Sequence, residues 1–232
     1  MSNGPGLRGR IKKVSIRGFR SLACVENLEL PQLTVLIGAN GSGKSNLIRF
    51  FEMLSYSLKS RDLQKFVINH GGGGDQLFQG ARTTPRLEAE VTLDTDQGSN
   101  EYRMVLTHVA TDTLAFAEEA YRFSRHDRDG SAEWIHLPMP ARESGLPEAA
   151  ADEHQLTQRT ARTILYLLRN CATYQFHDTS AKASLNMRWD ESETARLRSD
   201  GGNLAPVLLH LAREHPQRYR LITRQIQRVL PV

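Results

Sequence analysis

Eight consecutive residues near the N-terminus have the types and spacing of a phosphate-binding loop. They fit the pattern G-x-x-x-x-G-K-[ST], whose glycines let the backbone curl so that successive N–H groups point inward at phosphate oxygens. The lysine of this pattern reaches the β and γ phosphates, and the hydroxyl of the next residue is a ligand for Mg²⁺. The sequence therefore predicts a site for a nucleoside triphosphate and Mg²⁺, with Ser45 as the metal ligand, at Gly38, Ala39, Asn40, Gly41, Ser42, Gly43, Lys44 and Ser45.

The lack of a guanine-reading motif favours adenine as the base of the nucleotide. A GTPase normally carries an N-K-x-D-type motif that reads guanine, and none of the six lysines stands in such a motif. We therefore expect the cofactors to be ATP and Mg²⁺.

The segments on either side of the loop suit this site. Residues 33–37, LTVLI, are apolar and β-rich, which predicts a central strand buried on both faces of a sheet. Residues 44–59 place leucine, isoleucine and phenylalanine at helical spacing, so a helix should begin directly after the loop. The N-terminus of that helix would add a partial positive charge where phosphates bind.

The remaining sequence predicts a mixed α/β chain. Alternating runs at 11–16 and 25–30 indicate two strands before the loop. Four glycines at 71–74 indicate an irregular, mobile loop over 70–80, and alternating runs at 86–94, 101–109 and 113–123 predict an antiparallel meander, with a further short strand at 133–136. Helical patterns follow at 153–170 and 203–215.

Composition restricts the setting of the protein. The chain has 232 residues, 39% of them hydrophobic, and no apolar run near the roughly 20 residues that span a bilayer. Its first ten residues lack the apolar core of a signal peptide, so we expect a soluble, cytoplasmic protein that makes no membrane contact. Cys24 and Cys171 are far apart in sequence and favour neither a disulfide framework nor a zinc site.

The net charge of +4 leaves nucleic acid open as a partner without showing it. On a helix, Arg220, Arg224 and Arg228 share one face, and this ridge could meet phosphates or acidic side chains. A solvated surface is the simpler interpretation of so small an excess of charge.

The segment GFRSL at 18–22, followed by a second strand and by LIGANGSGKSNLI at 36–48, resembles the ABC-type ATPase heads of the SMC and RecF superfamily. It resembles more closely the predicted ATPases of the AAA_15/AAA_21 group, which includes relatives of OLD-family nucleases and phage-defence ATPases. This resemblance implies an α/β P-loop NTPase fold of the ABC/SMC-head type, with an antiparallel β-subdomain and a following helical region. It implies one ATPase head over residues 1–232, made of strands, loop and helix (1–60), the β-subdomain (84–137) and a mainly helical region (150–232).

The resemblance also implies further site residues and partners. The family's arginine in the F-R-S segment corresponds to Arg20 and is expected near the nucleotide. A Q-loop residue that links Mg²⁺ to the second lobe of the head would be Gln175 or His177. Complete heads of this family form a homodimer around the nucleotide and act on DNA or on an effector protein.

Two motifs that hydrolysis requires in this family are not evident. No run of four branched apolar residues precedes an Asp-Glu pair, so neither Asp152-Glu153 nor Asp190-Glu191 fits a Walker B strand. The segment 198–208, RSDGGNLAPVL, is a weak match to the signature loop. The catalytic residues are therefore not assigned, and the chain is expected to be the N-terminal part of a longer ATPase, so that its head is incomplete by itself.

Two other functions stay open. A non-hydrolysing ATP-binding switch that gates a partner protein would explain the missing acids. A P-loop kinase of a small molecule would need an arginine-bearing lid over the phosphates, for which the only candidate is the loop with Arg122, Arg125 and Arg128.

Overall fold

A computed structural model describes residues 9–127, 132–153, 157–174, 180, 183–194 and 196–229. Its centre is a six-stranded sheet in the order β2-β1-β3-β4-β5-β6, in which every neighbouring pair is antiparallel. The strands are β1 (Gly9–Phe19), β2 (Leu22–Glu29), β3 (Arg86–Thr95), β4 (Gly98–Val109), β5 (Thr113–Arg125) and β6 (Ile135–His136). The predicted meander is thus confirmed, and it continues directly into β1 and β2 instead of forming a separate subdomain.

Four helices accompany this sheet: α1 (Lys44–Ser60), α2 (Leu63–Asn69), α3 (Leu146–Ala151) and α4 (Gln158–Arg169). Helix α1 has the predicted position, and its Phe50 packs edge to face on Phe19 of β1 with ring centroids 5.8 Å apart. In α4, Ala161, Ile164 and Leu168 are buried at helical spacing. These contacts bury one face of the sheet beneath the helices.

Side-chain alternation along the strands explains why only one face is covered. In β3, Leu87, Ala89 and Val91 are buried, whereas Glu88 between them is exposed. The same alternation continues in β4, where Tyr102 and Met104 are buried and Arg103 is exposed. The opposite face of the sheet is therefore polar and meets solvent.

The chain divides into two compact units, residues 1–171 and 172–232. The second unit contains α5 (Leu204–Glu214) and α6 (Pro216–Val229), together with a short 3₁₀ turn at Ser184–Asn186. Pro206 lies in the first turn of α5, as the sequence predicted. None of the helices among the described residues is long and apolar enough to cross a membrane.

The prediction of a buried strand at 33–37 is wrong for this structure. The segment has no regular secondary structure, and Leu33, Val35 and Ile37 are 81%, 72% and 91% exposed. A strand forms only where neighbouring backbone pairs with it, and no strand among the described residues does so. The segment directly before the glycine-rich loop is therefore apolar but exposed, whereas its composition predicts burial.

Candidate functional site

The glycine-rich loop leads into the N-terminus of α1, which has no side-chain cap. Gly43 is the N-cap, with φ 95°, and its carbonyl accepts hydrogen bonds from the N–H groups of Asn46 and Leu47 at 2.9 and 3.0 Å. No acidic side chain lies in the first helical turn. The first N–H groups of a helix have no partner within the helix, so this end of α1 can accept an anion.

The side chain of Lys44 folds over the loop. Its ammonium group donates hydrogen bonds of 2.7 Å to the carbonyls of both Gly38 and Ala39, and it lies 3.2 Å from the hydroxyl oxygen of Ser42. A compact ammonium charge is thus held at the inner side of the loop. A phosphate placed at the start of α1 would lie within reach of this flexible side chain.

Two glycines of the motif lie where a side chain would be crowded by its neighbours. A Cβ atom at Gly38 would lie 3.0 Å from Ser42 Oγ and 3.9 Å from Lys44 Nζ, so it would intrude on the inside of the loop. A Cβ at Gly43 would lie 2.7 Å from Leu22 Cδ2, in addition to the strain of a positive φ. The loop therefore keeps its interior clear and packs closely against the turn after β1.

That turn carries Arg20, whose backbone is left-handed with φ 49°. Asn46 of α1 donates a hydrogen bond of 2.8 Å to Ser21 Oγ, which joins the turn to the helix that follows the loop. Burial, followed by the positive charge of Arg49 on α1, lowers the pKa of Arg20, and the nearby Asp75 acts in the opposite direction. The structure thus brings Arg20 and the loop of 38–45 into one region, two parts of the site that the sequence predicted separately.

Gln76 is a member of this region that the sequence did not indicate. It is fully buried, and its Oε1 accepts a hydrogen bond of 2.9 Å from Arg20 Nη1. Gln76 is the last residue of a short 3₁₀ helix, Gly74–Gln76, within the segment 70–80 that the sequence predicts as an irregular loop. Three residues give no helical or strand periodicity, so no sequence pattern could have identified this contact.

The predicted metal ligand Ser45 is exposed in the first turn of α1. Among the described residues, no cluster of three or more histidines, cysteines or acids could hold a metal ion. A single hydroxyl fits Mg²⁺ only if phosphate oxygens and water complete the coordination, which is how Mg²⁺ commonly binds with nucleotides.

The predicted Q-loop residues and the two Asp-Glu pairs do not contribute to the site among the described residues. Gln175 and His177 lie outside the described residues. Asp152 is the C-cap of α3, and Asp190 lies in an exposed turn, so neither acid of these pairs follows a strand. The alanines before Asp152 lie in helix α3 and not in a strand.

In the candidate signature segment, 198–208, and the candidate lid, the described side chains bind residues close to them. Asp200 Oδ1 accepts a hydrogen bond of 3.0 Å from the Gly202 N–H, just before α5 begins. Arg122 pairs with Glu101 and lies over the ring of Trp134, and Arg125 pairs with Asp127 at 2.8 Å. Arg128 lies outside the described residues.

Comparisons with known proteins agree with the loop motif. Residues 33–136 match the family described as "AAA domain, putative AbiEii toxin, Type IV TA system". The chain is 28% identical over 124 residues to the chromosome partition protein Smc of Mycobacterium tuberculosis, a match that covers 53% of this chain and 10% of that protein.

Two further relatives are similar over shorter stretches. Structural maintenance of chromosomes protein 3 of Saccharomyces cerevisiae is 41% identical over 73 residues, which is 29% of this chain and 6% of that protein. The DNA replication and repair protein RecF of an Anaeromyxobacter species is 35% identical over 89 residues, 35% of this chain and 23% of that protein. The chain thus matches less than a quarter of the length of each of these relatives. These matches support a relationship between the N-terminal portion of the chain and the SMC/RecF-like P-loop ATPases.

Proposed function

We propose that residues 38–45 bind the phosphates of ATP, and that the chain is the nucleotide-binding N-terminal part of an ATPase head. The observation that carries this proposal is the uncapped N-terminus of α1, with the Lys44 ammonium held over the loop that precedes it. A helix end without a cap or an acidic side chain, beside a fixed cation, suits a polyphosphate better than any neutral ligand.

Magnesium would enter with the nucleotide. In this proposal the Ser45 hydroxyl supplies one ligand, and the phosphates and water supply the others. Bound Mg·ATP would provide the phosphoanhydride bond and its leaving group. The residues of this chain would hold the phosphates, through the loop N–H groups and Lys44, and Arg20 would add a second positive charge at their edge.

At the level of the complete protein, we propose that two heads dimerise around ATP and act on or near DNA, in genome maintenance or phage defence, within the cytoplasm. The support is the similarity to relatives whose names describe chromosome partition and DNA replication and repair. The exposed basic face of α6, with Arg220, Arg224 and Arg228, suits a partner that carries phosphates or acidic side chains.

The exposed segment 33–37 supports the proposal that further chain completes the head. Burying an apolar side chain such as leucine, valine or isoleucine contributes about 1.5–3 kcal/mol, and Leu33, Val35 and Ile37 forgo most of this gain here. We therefore propose that this segment is covered in the complete head.

A non-hydrolysing ATP-binding switch that gates an effector protein is the second candidate. The observation that favours it is that neither Asp152 nor Asp190 follows a strand, so among the described residues these two pairs offer no Walker B carboxylate. Under this alternative, ATP binding would change the affinity for the effector without release of phosphate.

The test is a calorimetric titration of the 232-residue chain with ATP, in the presence and absence of Mg²⁺, combined with a phosphate-release assay. Lys44→Ala should weaken ATP binding by at least about tenfold, because it removes a charge-assisted contact. The matched control is Lys65→Ala, which removes an exposed lysine of α2 and should leave the affinity unchanged.

The outcomes separate the candidates. Lys44-dependent binding without phosphate release supports a nucleotide-binding part of a head or a switch, whereas Lys44-dependent release shows that this chain contains the catalytic carboxylate. Equal ATP affinity of the wild type and Lys44→Ala would contradict the proposed function.

A further inference from the structure

Arg20 is attached to Gln76 by two hydrogen bonds. Its backbone N–H donates to the Gln76 carbonyl at 3.0 Å, and its Nη1 donates to the Gln76 side-chain oxygen at 2.9 Å. The neighbouring residues Phe19 and Leu77 form an antiparallel bridge between the same two segments. Both the position of the turn and the direction of the guanidinium group are therefore set by the segment that contains Gln76.

The amide group of Gln76 is fully engaged. Its oxygen accepts from Arg20, while its Nε2 donates to the carbonyls of His70 and Gly72 at 2.8 and 3.2 Å. The side chain has no exposed surface. A buried amide that satisfies three partners has one stable orientation, because a flip of its oxygen and nitrogen would leave all of them unsatisfied.

The loop at 71–74, which precedes Gln76, is held by Asp112 in the turn between β4 and β5. The carbonyl of Asp112 accepts from the Gly73 N–H at 2.7 Å, and its Oδ1 accepts from the Gly74 N–H at 2.8 Å. His108 Nε2 lies 2.9 Å from the same carboxylate oxygen. Asp112 thus connects the loop at 71–74 to the sheet, and the hydrogen bond to the Gly72 carbonyl connects Gln76 to that loop.

From this chain of contacts we propose that Gln76 is a positioning residue for Arg20: it holds the guanidinium group in one orientation beside the turn that packs on the ATP-binding loop, and the loop at 71–74 with Asp112 holds Gln76. The inference rests on the proposed function and deepens it. An arginine with unrestrained side-chain torsions would lose conformational entropy on binding phosphate, whereas a guanidinium already held by Gln76 loses less. The bond to Gln76 occupies one of the five N–H donors of the arginine and leaves others for an anion.

The experiment is a double-mutant cycle on Mg·ATP affinity in the 232-residue chain, with Arg20→Ala, Gln76→Leu and the double variant. We expect each single variant to weaken Mg·ATP binding by about tenfold. We expect the double variant to bind no more weakly than Arg20→Ala, because Gln76 acts through Arg20.

A matched control is Gln64→Leu. Gln64 also bridges two elements through its amide, since its Nε2 donates to the Leu114 carbonyl at 2.7 Å and its oxygen accepts from Thr113. It makes none of the contacts to Arg20, so its loss should lower the free energy of unfolding without changing Mg·ATP affinity. The arginine side-chain ¹⁵N NMR signals of Arg20 give a second readout, which should shift in Gln76→Leu and stay in place in Gln64→Leu.

The results distinguish this inference from the proposed function. If Lys44→Ala abolishes Mg·ATP binding but Gln76→Leu binds like the wild type, the positioning role is wrong and the ATP site stands. Additive losses in the double variant would likewise overturn it, because Gln76 would then act on the fold and not through Arg20. If Lys44→Ala binds Mg·ATP like the wild type, it is the proposed function that fails.

Discussion

Asn46 and Ser21 join the two halves of the candidate site. The side-chain amide of Asn46, in the first turn of α1, donates a hydrogen bond of 2.8 Å to the hydroxyl of Ser21, in the turn between β1 and β2. Because α1 begins at the phosphate-binding loop and the turn carries Arg20, this bond fixes the distance between the loop and the arginine. It also supports the close packing of Gly43 against Leu22.

Ser21→Ala should therefore weaken Mg·ATP binding as well as the fold. Loss of one hydrogen bond at a partly exposed position lowers the free energy of unfolding by about 0.5–1.5 kcal/mol. We expect a decrease in Mg·ATP affinity of about two- to fivefold, since Arg20 is then less well placed. Urea unfolding and calorimetric titration measure the two effects separately.

Ser57→Ala is the control for this prediction. Ser57 lies in the same helix, is buried, and donates locally to the Leu54 carbonyl at 2.9 Å. Its loss should lower stability by a similar amount and leave nucleotide affinity unchanged. Parallel losses of affinity in both variants would show that the effect of Ser21 is only one of stability.

Gly18, next to the end of β1, leaves no room for a side chain. Its φ is 76°, and a Cβ atom there would lie 2.4 Å from the Arg86 carbonyl oxygen in β3. Gly18→Ala should lower the free energy of unfolding by about 2–4 kcal/mol, from backbone strain together with the clash. The measurement is urea unfolding followed by circular dichroism.

Gly80→Ala separates strain from clash. Gly80 has a similar φ of 82°, but a Cβ there meets nothing within 4 Å. The free energy of unfolding of this variant should fall by about 1–2 kcal/mol, the cost of a left-handed backbone alone. Equal losses in the two variants would mean that β3 moves aside at no cost.

The parts of the fold that the sequence predicted are those decided by local pattern. Helix α1 and the meander of β3, β4 and β5 follow from periodicity over ten or more residues. Helix α2, Leu63–Asn69, was not predicted because seven residues complete only two turns and give too short a pattern. The strand expected at 33–37 failed for another reason: an apolar run indicates burial, but neighbouring chain must provide it.

The candidate site divides in the same way. Residues 38–45 could be read directly because the motif is consecutive in sequence. Arg20 was indicated only by resemblance, since nothing in its own segment points to a phosphate. Gln76 could not be predicted, because its contact with Arg20 spans 56 residues of chain and joins a turn to a three-residue 3₁₀ helix.

Glu119 should give the protein a pH dependence that its amide variant lacks. Its Oε1 accepts hydrogen bonds from Tyr102, at 2.6 Å, and from Ser144, while its Oε2 accepts from the Gly145 N–H at 2.8 Å. Burial raises the pKa of this carboxyl above its ordinary value of 4.5, although these hydrogen bonds oppose the shift. The unfolded chain therefore releases the proton of Glu119 at lower pH than the folded protein does.

The sign of the effect follows from this difference in pKa. The contribution of Glu119 to stability is fully present below pH 4.5 and is lost as the pH rises through the raised pKa of the folded state. Glu119→Gln should have a lower free energy of unfolding than the wild type, since its amide nitrogen would face the Gly145 N–H. This difference in the free energy of unfolding, the gap between the two proteins, should narrow as the pH rises from 4.5. Urea unfolding of both proteins between pH 4 and 8 measures the gap, and a gap that widens with pH would contradict the prediction.

Asn203 should be the residue on which the start of α5 depends. It is almost fully buried, its Oδ1 accepts from the Arg198 N–H at 2.8 Å, and its Nδ2 donates to the carbonyls of Glu193 and Arg196, both at 2.8 Å. Asn203→Ala leaves three backbone groups without this partner and should destabilise the segment by about 1–3 kcal/mol. Amide hydrogen exchange should accelerate over 196–204, while exchange in the sheet stays unchanged.

Asn186→Ala is the matched control in the same unit of the chain. The Asn186 side chain is exposed and donates one hydrogen bond, to the Ser180 carbonyl at 2.9 Å. Its removal should change local stability by less than about 0.5 kcal/mol, as expected for an exposed position. Asn203→Asp should be at least as destabilising as Asn203→Ala, because it places a buried carboxylate oxygen against the carbonyls of Glu193 and Arg196. Equal exchange rates in Asn203→Ala and Asn186→Ala would show that the turn before α5 is held by Asp200 and the glycines alone.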